Sequence, residues 1–270
     1  MTHSRTRIHD LLGAGGLAPR RDLGQNFVAD PNTVRRIASL AAIGSGDHVV
    51  EIGAGLGSLT LALAETGAAV TAIEVDHGIV PALRNVVADL DNVHVVEGDA
   101  TRLDWTELLA GADRWTLVAN LPYNVATPLV CDLLDDVPQV ESLLVMVQRE
   151  VAERMAAGPG SKQYGAVSLK VAYWASARVV GLVPASVFVP RPNVESALVR
   201  IDRRPPPDVA PGVLFTLVKA AFGQRRKMLR KSLRDRVSAE QFESAGVSPE
   251  ARPEELGLDA WCRLATAVAP

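Results

Sequence analysis

Short apolar runs alternate with segments of helical spacing over most of the N-terminal half of the chain. The apolar runs predict strands at residues 49–52, 69–74, 93–97, 116–119 and 143–147. The helical spacing predicts helices at residues 33–41, 57–65, 78–88, 127–134 and 150–156. Strands that alternate with helices in this way are typical of an α/β fold with a doubly wound, mostly parallel sheet.

The pattern changes after residue 165. A helical segment at 165–174 precedes two β-rich runs, 177–183 and 196–201, which can pair and give seven strands with one antiparallel. A proline-rich linker then leads into helical segments, which are predicted at 213–222, 226–233 and 260–268. We therefore expect three parts: an N-terminal arm (1–22) with a short helix near 8–12, a sheet domain (23–203) and a small C-terminal helical domain (204–270).

Three glycines follow the first of these strands, in the sequence EIGAGLG at residues 51–57. A strand, a tight glycine turn and a helix start form the opening of a nucleotide-binding βα unit. Glu74 ends the next strand, where a carboxylate can accept hydrogen bonds from ribose hydroxyls. A dinucleotide site prefers GxGxxG, so this spacing favours a ligand with a ribose but no pyrophosphate, such as S-adenosylmethionine. A glycine turn that serves packing alone is the alternative.

The fourth predicted strand ends in the turn Asn120, Leu121, Pro122 and Tyr123. Such a turn suits a reaction at the exocyclic amine of adenine, whose lone pair is delocalised into the ring. Two acceptors, the Asn120 side-chain oxygen and the Leu121 carbonyl, can bind the amine protons and free that lone pair. Pro122 fixes the turn, and Tyr123 offers an aromatic face for the base. The alternative is a strand exit with a structural proline and a packed tyrosine.

Three further features have both a functional and a structural interpretation. Asp99 follows the third strand and can accept from the amino group of the donor's adenine, or cap a helix at 101–109. Phe188 lies in a loop with three prolines, where it can stack on a flipped base or pack in the core. Gln25 and Asn26 can fold over the nucleotide pocket, or serve only as turn residues.

Composition limits the remaining possibilities. The chain has 270 residues, 48% of them hydrophobic, and a net charge of −3, which by itself does not indicate a nucleic-acid binder. Cys131 and Cys262 have no metal or redox spacing and the five histidines are scattered, so we predict no metal site. No apolar run reaches about 18 residues and no signal core is present, so we predict no membrane contact and a cytoplasmic protein.

The charge is distributed unevenly. Residues 219–236 contain eight basic side chains and one acid, which predicts a contact with an anionic partner. On a helix at 226–233, the side chains of Arg226, Arg230 and Arg234 would share one face, flanked by Lys227 and Lys231. We therefore predict RNA binding here, with a solvated charged face as the alternative.

Taken together, these motifs resemble those of the KsgA-type ribosomal RNA adenine dimethyltransferases. The resemblance covers residues 20–235 and rests on GQNF (24–27), EIGAGLG (51–57), EVD (74–76), GDA (98–100), NLPYN (120–124), VQREVAER (147–154), the Phe188 loop and QRRK (224–227). The sequence departs from the family pattern at Ala54, where proline is common, and at Val28, where leucine is common. The resemblance implies the Rossmann-like fold of class I methyltransferases.

The resemblance also implies a reaction and its residues. The reaction is the dimethylation, by S-adenosylmethionine, of two adjacent adenosines near the 3′ end of 16S rRNA in the immature 30S subunit, and we expect a monomer. The implied cofactor-binding residues are Gln25, Asn26, Val28, Gly53, Gly55, Glu74, Asp99, Ala100 and Asn120. The implied catalytic residues are Asn120, Leu121, Pro122, Tyr123 and Phe188. The basic residues predicted to bind RNA are Arg225, Arg226, Lys227, Arg230 and Lys231.

Three other functions remain open from the sequence. An Erm-type enzyme would methylate one adenine of 23S rRNA, but Gly24 and the NLPYN turn suit the small-subunit group better. A non-catalytic RNA-binding assembly factor could keep the same fold, although the intact turn favours catalysis. A nicotinamide oxidoreductase is disfavoured by the glycine spacing.

Overall fold

A computed structural model of the chain describes residues 2–122 and 125–269. The strands of these residues are β1 (Phe27–Val28), β2 (His48–Ile52), β3 (Ala69–Glu74), β4 (Val93–Glu97), β5 (Trp115–Asn120), β6 (Val140–Gln148), β7 (Ala175–Val183), β8 (Phe188–Val189) and β9 (Ser196–Arg203). The helices are α1 (Arg5–Ala14), α2 (Pro31–Ala41), α3 (Ser58–Ala64), α4 (Val80–Val86), α5 (Trp105–Leu108), α6 (Ala126–Asp136), α7 (Arg149–Met155), α8 (Ala166–Trp174), α9 (Pro211–Phe222), α10 (Leu229–Ser232), α11 (Ala239–Ser244) and α12 (Leu258–Val268).

Seven strands form one sheet in the order β4-β3-β2-β5-β6-β9-β7. Strands β2 to β6 pair in parallel, and β9 pairs antiparallel to β6. The predicted α/β fold with a mostly parallel sheet is therefore confirmed. The chain reverses its direction of progress across the sheet between β2 and β5, which is where ligands bind in doubly wound folds.

Contacts divide the chain into two compact units. The first comprises Met1–Ala152 and Val179–Asp202, and the second comprises Glu153–Arg178 and Arg203–Pro270. The second unit is larger than the sequence analysis predicts, because it takes in Glu153–Arg178 as well as the C-terminal helices. Tyr164 and Tyr173 of that segment are buried in one apolar cluster with Trp261 of α12.

Apolar residues around the sheet hold the first unit together. Helix α3 is buried along its whole length, and α2 packs on it. Asp30 caps α2 by accepting hydrogen bonds from the backbone N–H groups of Asn32 and Thr33. The burial of α3 fixes the loop that precedes it, which carries the three glycines.

The N-terminal helix is longer than predicted and packs on the sheet domain. Helix α1 buries Ile8, Leu11 and Leu12 in a cluster that includes Phe27 and Leu56. The buried His3 ring nitrogen lies 2.8 Å from the carbonyl oxygen of Leu56. No helix among the described residues is long and apolar enough to cross a membrane.

Candidate functional site

The polar residues predicted to act together lie at one edge of the sheet. Strands β2, β3, β4 and β5 run in parallel, and their pairing places Ile52 beside both Ile73 and Ala119. The residues that follow these positions, Gly53, Glu74 and Asn120, therefore meet at the carboxyl ends of the strands. A crevice opens there.

Two adjoining pockets make up this crevice. The first is lined by Leu23, Gly24, Gln25, Asn26, Phe27, Val28, Glu51, Gly53, Ala54, Gly55, Leu56, Ser58, Leu59, Glu74, Val75, Asn120, Leu121 and Pro122. The second is lined by Asp22, Leu23, Ile52, Gly53, Ile73, Val75, Gly98, Asp99, Ala100, Thr101, Leu121, Pro122, Val125 and Leu129. Every predicted cofactor-binding residue lines one of the two pockets.

The glycine loop has the backbone geometry that requires glycine. Gly53 has a backbone φ of 75° and Gly55 one of 57°, values that residues with a side chain rarely adopt. A Cβ at Gly55 would also lie 3.1 Å from the ring of Phe27. The loop therefore turns sharply between β2 and α3 and brings its backbone to the pocket wall.

Glu74 holds this loop in place. One carboxylate oxygen accepts a hydrogen bond from the Gly55 backbone N–H at 2.6 Å, and the other accepts from the Asp76 N–H at 2.9 Å. The side chain is buried, and that burial raises the pKa of Glu74, while the two N–H donors act in the opposite direction. Each oxygen keeps a second lone pair that can accept from a ribose hydroxyl.

A second buried carboxyl group, that of Glu51, lines the same pocket. It is 1% exposed and accepts a hydrogen bond of 2.6 Å from the Thr60 hydroxyl. Burial raises the pKa of Glu51 to about 8, and the nearby Glu74 adds to the rise. Two buried acids in one pocket favour a cationic ligand, because a positive charge stabilises their ionised forms.

The N-terminal motif forms part of the wall. Both polar ends of the Gln25 side chain are engaged by protein atoms: Nε2 donates to Asp76 at 2.7 Å and Oε1 accepts from the Arg20 N–H at 2.8 Å. The Asn26 side chain donates to the Gly24 carbonyl at 3.0 Å. Val28 pairs with Phe188 between β1 and β8, a two-residue pairing that the sequence analysis did not predict.

The predicted catalytic turn begins at the end of β5. Asn120 Nδ2 donates to the Asn26 carbonyl at 3.0 Å, which leaves its side-chain oxygen without a partner among the described residues. The Leu121 N–H donates to the Met146 carbonyl, whereas the Leu121 carbonyl has no partner in the residues that the structure describes. Pro122 lines both pockets. Tyr123 lies outside the described residues.

Phe188 does not present its ring to the crevice. It is 1% exposed and packs in the core cluster that includes Val28 and Ile37. The pairing of β1 with β8 directs this side chain inward, so the core-packing alternative describes the structure. Stacking on a base would require β8 to move.

Asp99 caps a turn rather than a helix. Its carboxylate accepts from the N–H and the hydroxyl of Thr101 at 2.9 and 2.7 Å, and these bonds lower the pKa of Asp99. The predicted helix at 101–109 is wrong, because α5 starts only at Trp105, with Asp104 as its cap. Asp99 and Ala100 line the second pocket, which shares Val75 with the pocket that Asn26 lines.

Ser58 is a pocket residue that the sequence analysis missed. It is 7% exposed, and its hydroxyl has no hydrogen-bond partner among the described residues. An unpaired buried hydroxyl costs free energy unless a ligand satisfies it. Its place directly after the glycine loop is the only sequence signal that could have identified it. This hydroxyl, the two buried acids and the glycine turn fit a ligand with cationic and polar groups.

The basic segment of the second unit is less helical than predicted. Helix α10 covers only Leu229–Ser232, so Arg226 lies before the helix and shares no helical face with Arg230. A pocket there is lined by Gln224, Lys227, Arg230, Lys231, Ser232, Arg234 and Asp235. The segment still presents a concentration of positive charge.

The individual cations differ in what they contact. Arg225 donates to Glu254 at 2.5 Å and to the Lys162 carbonyl at 2.9 Å, so it serves the structure of this unit. Arg226, Lys227 and Lys231 are exposed and have no partner among the described residues. These three side chains are among the cations available to an anionic partner.

The sequence matches one protein family over nearly its whole length. The profile of the family described as ribosomal RNA adenine dimethylase matches residues 16–269. Proteins named ribosomal RNA small subunit methyltransferase A are similar as well. The relative from Cutibacterium acnes is 48% identical and that from Bifidobacterium adolescentis 44%, and each alignment covers 97% of this chain and 92% of the relative.

Solved structures share the fold at lower identity. A dimethyladenosine transferase from Plasmodium falciparum is 23% identical with a TM-score of 0.75, over 87% of this chain and 94% of that one. The 23S rRNA methyltransferase ErmE is 24% identical with a TM-score of 0.71, over 90% of this chain and 99% of that one. At this identity the likeness shows the fold alone.

Proposed function

The chain belongs to the ribosomal RNA adenine dimethylase family, and on that premise we propose that it dimethylates two adjacent adenosines near the 3′ end of 16S rRNA. The methyl donor is S-adenosylmethionine, and the acceptors are the N6 amines. The observation that carries the proposal is that the glycine loop with Glu74 and the turn that starts at Asn120 line one pocket. A donor and an acceptor amine can therefore meet there.

The first pocket suits the ribose and amino-acid parts of the donor. Glu74 would accept from the ribose hydroxyls, beside the backbone of Gly53 and Gly55. The Asn26 side-chain oxygen has no partner among the described residues and would accept from the α-ammonium group. Ser58 would donate to the α-carboxylate, which would satisfy its unpaired hydroxyl.

The second pocket suits the adenine ring of the donor. Ile52, Ile73 and Val75 supply apolar surface there, and Asp99 is a carboxylate at the rim that can accept from the adenine amino group. Ala100 lies beside it. Val28 packs behind the first pocket through its pairing with Phe188 and supports the wall rather than a polar contact.

The acceptor amine would be activated by hydrogen bonds rather than by a base. When bound, the donor supplies an electrophilic methyl group on a sulfonium. The Asn120 side-chain oxygen and the Leu121 carbonyl would accept hydrogen bonds from the amine N–H groups, which localises the nitrogen lone pair toward the methyl group. In each transfer the N–C bond would form as the C–S bond of the donor breaks and S-adenosylhomocysteine leaves. The cationic nitrogen would then release one proton to solvent, which leaves one N–H for the second transfer. Pro122 restricts the backbone of this turn, and the rest of the rate enhancement comes from alignment. Tyr123 would stack on the base, as would Phe188 after a movement of β8.

The basic segment would bind the RNA backbone. Arg226, Lys227 and Lys231 are exposed cations without protein partners among the described residues, and Arg230 and Lys231 line one pocket. Such side chains bind phosphates with little sequence preference. Sequence selectivity would then come from the immature 30S subunit, in which the protein acts as a monomer. A protein that acts on assembling 30S subunits would work in the cytoplasm, where bacterial ribosomes assemble.

The test is methyl transfer to ribosomal particles. Purified protein would be incubated with radiolabelled donor and with 30S particles from a strain that lacks this modification, and with naked 23S rRNA in parallel. We expect label in 16S rRNA alone, and primer extension should stop at two adjacent adenosines near its 3′ end. Label in 23S rRNA alone would favour the Erm-type alternative, and binding without any transfer would favour the assembly factor.

A further inference from the structure

Residues 20–26, here called the N-terminal loop, form a closed turn beside the donor pocket. The Gln25 N–H donates to the Arg20 carbonyl at 3.1 Å, and the Arg20 N–H donates to the Gln25 side chain at 2.8 Å. The Gly24 N–H donates to the Arg21 carbonyl at 3.1 Å. These hydrogen bonds hold residues 20–26 together, so a displacement of Gln25 also displaces its neighbours in the loop.

Asp76 anchors this loop to the sheet. Asp76 is 6% exposed, and one of its carboxylate oxygens accepts from Gln25 Nε2 at 2.7 Å. The other oxygen accepts from the Gly78 N–H at 3.0 Å and lies 3.9 Å from the Arg20 guanidinium. The Asp76 backbone N–H is held in turn by Glu74. The anchor is therefore fixed to the end of β3.

The other end of the loop determines how the Asn120 amide is oriented. Asn120 Nδ2 donates to the Asn26 main-chain carbonyl at 3.0 Å. An amide has its donor and its acceptor on opposite sides, so this contact directs the side-chain oxygen away from Asn26. In the proposed function that oxygen accepts a proton of the acceptor amine. A flipped amide would present a donor to the amine instead.

We propose that Asp76 is a positioning residue for methyl transfer. It holds Gln25, Gln25 holds the N-terminal loop, and the Asn26 carbonyl of that loop keeps the Asn120 oxygen facing the acceptor amine. This inference rests on the proposed function of Asn120. Asp76 and Gln25 touch no reacting atom, so they act on the rate of transfer and on donor retention, and leave RNA binding unchanged.

The chain offers variants that separate this role from general destabilisation. Asp76→Ala and Gln25→Ala each remove the same hydrogen bond. Asp76→Asn keeps one oxygen that can accept from Gln25 but turns its NH2 group toward the Gly78 N–H, so it should restore only part of the activity. Asp47 is the control: it accepts a hydrogen bond from the Gly44 N–H at 2.8 Å in the turn before β2, at the opposite edge of the sheet.

The first readout is the single-turnover rate of transfer to 30S particles. We expect roughly tenfold losses for Asp76→Ala and Gln25→Ala, the same loss for the double variant, a smaller loss for Asp76→Asn, and a rate near wild type for Asp47→Ala. The dissociation constant for 30S particles should stay the same. Additive losses in the double variant, or a wild-type rate for Asp76→Ala, would overturn the proposal.

The second readout is the rate at which S-adenosylhomocysteine dissociates, measured by stopped flow. The N-terminal loop lines the donor pocket, so Asp76→Ala and Gln25→Ala should release this product several-fold faster than the wild-type and Asp47→Ala proteins. If the wild-type protein methylates no small subunits, the proposed function fails, and this measurement still decides on the anchor. An unchanged rate of S-adenosylhomocysteine dissociation from both variants would then refute the anchoring role of Asp76.

Discussion

The donor crevice and the basic segment hold their polar groups in opposite ways. In the crevice, Glu74 accepts two backbone hydrogen bonds and Glu51 is paired with Thr60, both away from solvent. In the basic segment, Lys227 and Lys231 are exposed and have no partner among the described residues. The crevice therefore acts through fixed geometry, and the basic segment acts through charge that tolerates displacement.

The largest expected effect comes from the residue that depends most on geometry. Asn120→Ala removes one acceptor for the amine protons, and the loss of one preorganised group costs about 10²- to 10³-fold in kcat. We expect this loss in single-turnover assays, with S-adenosylhomocysteine and 30S affinities within about threefold of wild type. A loss of 30S affinity as large as the loss of rate would show that Asn120 contributes to RNA binding, a role that we assign to the basic segment.

Buried charge in the crevice predicts a dependence of stability on pH. Folding raises the pKa of Glu51 from 4.5 to about 8, so between these values the folded protein keeps a proton that the unfolded chain has released. The wild-type free energy of unfolding should therefore fall relative to that of Glu51→Gln as pH rises, by up to about 1.4 kcal/mol per pH unit. The penalty is absent below pH 4.5 and complete above pH 8.

Chemical denaturation of donor-free protein at pH 5, 6, 7 and 8 measures this difference. Other titrating groups are shared by the two proteins and largely cancel in the comparison. If the free energies of unfolding of the wild type and Glu51→Gln change with pH in parallel, Glu51 is already ionised in the folded protein at neutral pH, and the prediction is wrong. In the wild type, donor binding at pH 7 should also release protons, which calorimetry in buffers of different ionisation enthalpy would detect.

The basic segment should respond to charge reversal in a different way. Lys231→Glu should raise the dissociation constant for RNA roughly tenfold and reduce the slope of its salt dependence by about one, without changing donor affinity. Arg84→Glu is the control, since this exposed arginine lies in the first unit and outside the basic segment. Filter binding over a range of salt concentrations checks the prediction. An unchanged slope would remove Lys231 from the RNA interface.

The sequence predicts the crevice well because its motifs follow buried parallel strands. The run at 69–74 coincides with β3, since a strand buried on both faces is a continuous apolar run. The run at 93–97 coincides with β4, an edge strand in which His94 and Glu97 are exposed. Register then brings their ends together, and the predicted cofactor-binding residues all line one or both of the two pockets. Ser58 was missed because only the pocket itself shows that its hydroxyl lacks a partner.

Long-range contacts account for what the sequence could not predict. Helix α10 begins late because the Leu229 and Arg230 N–H groups donate to the carbonyls of Ala251 and Pro249, about 20 residues away. Strands β1 and β8 have two residues each, too few for a periodic signal, and their pairing buries Phe188. The assignment of residues 153–178 to the second unit depends on packing against helices that follow 40 or more residues later.

The smallest expected effect comes from a comparison of two buried serines, one whose hydroxyl has hydrogen-bond partners and one whose hydroxyl has none among the described residues. The comparison tests whether the crevice is shaped to bind a ligand. The Ser168 hydroxyl donates to the Arg154 carbonyl at 2.6 Å and accepts from the Gly165 N–H, whereas the Ser58 hydroxyl has no partner among the described residues. Ser168→Ala should therefore destabilise the protein by about 1–3 kcal/mol, because the part-buried Gly165 N–H loses its partner and the Arg154 carbonyl is left with the longer bond from the Ala157 N–H. Ser58→Ala should leave the donor-free protein as stable as wild type, or slightly more so.

Donor binding should reverse this order. Ser58→Ala should weaken S-adenosylhomocysteine roughly three- to tenfold, because the α-carboxylate loses a hydrogen bond, and Ser168→Ala should not. Methylthioadenosine has no amino-acid end, so it should bind both variants as it binds the wild type. Calorimetry and thermal unfolding give the two quantities on the same samples. If Ser58→Ala instead destabilises the donor-free protein and leaves S-adenosylhomocysteine affinity unchanged, the hydroxyl is part of the protein's own packing, and the amino-acid end of the donor is held elsewhere in the crevice.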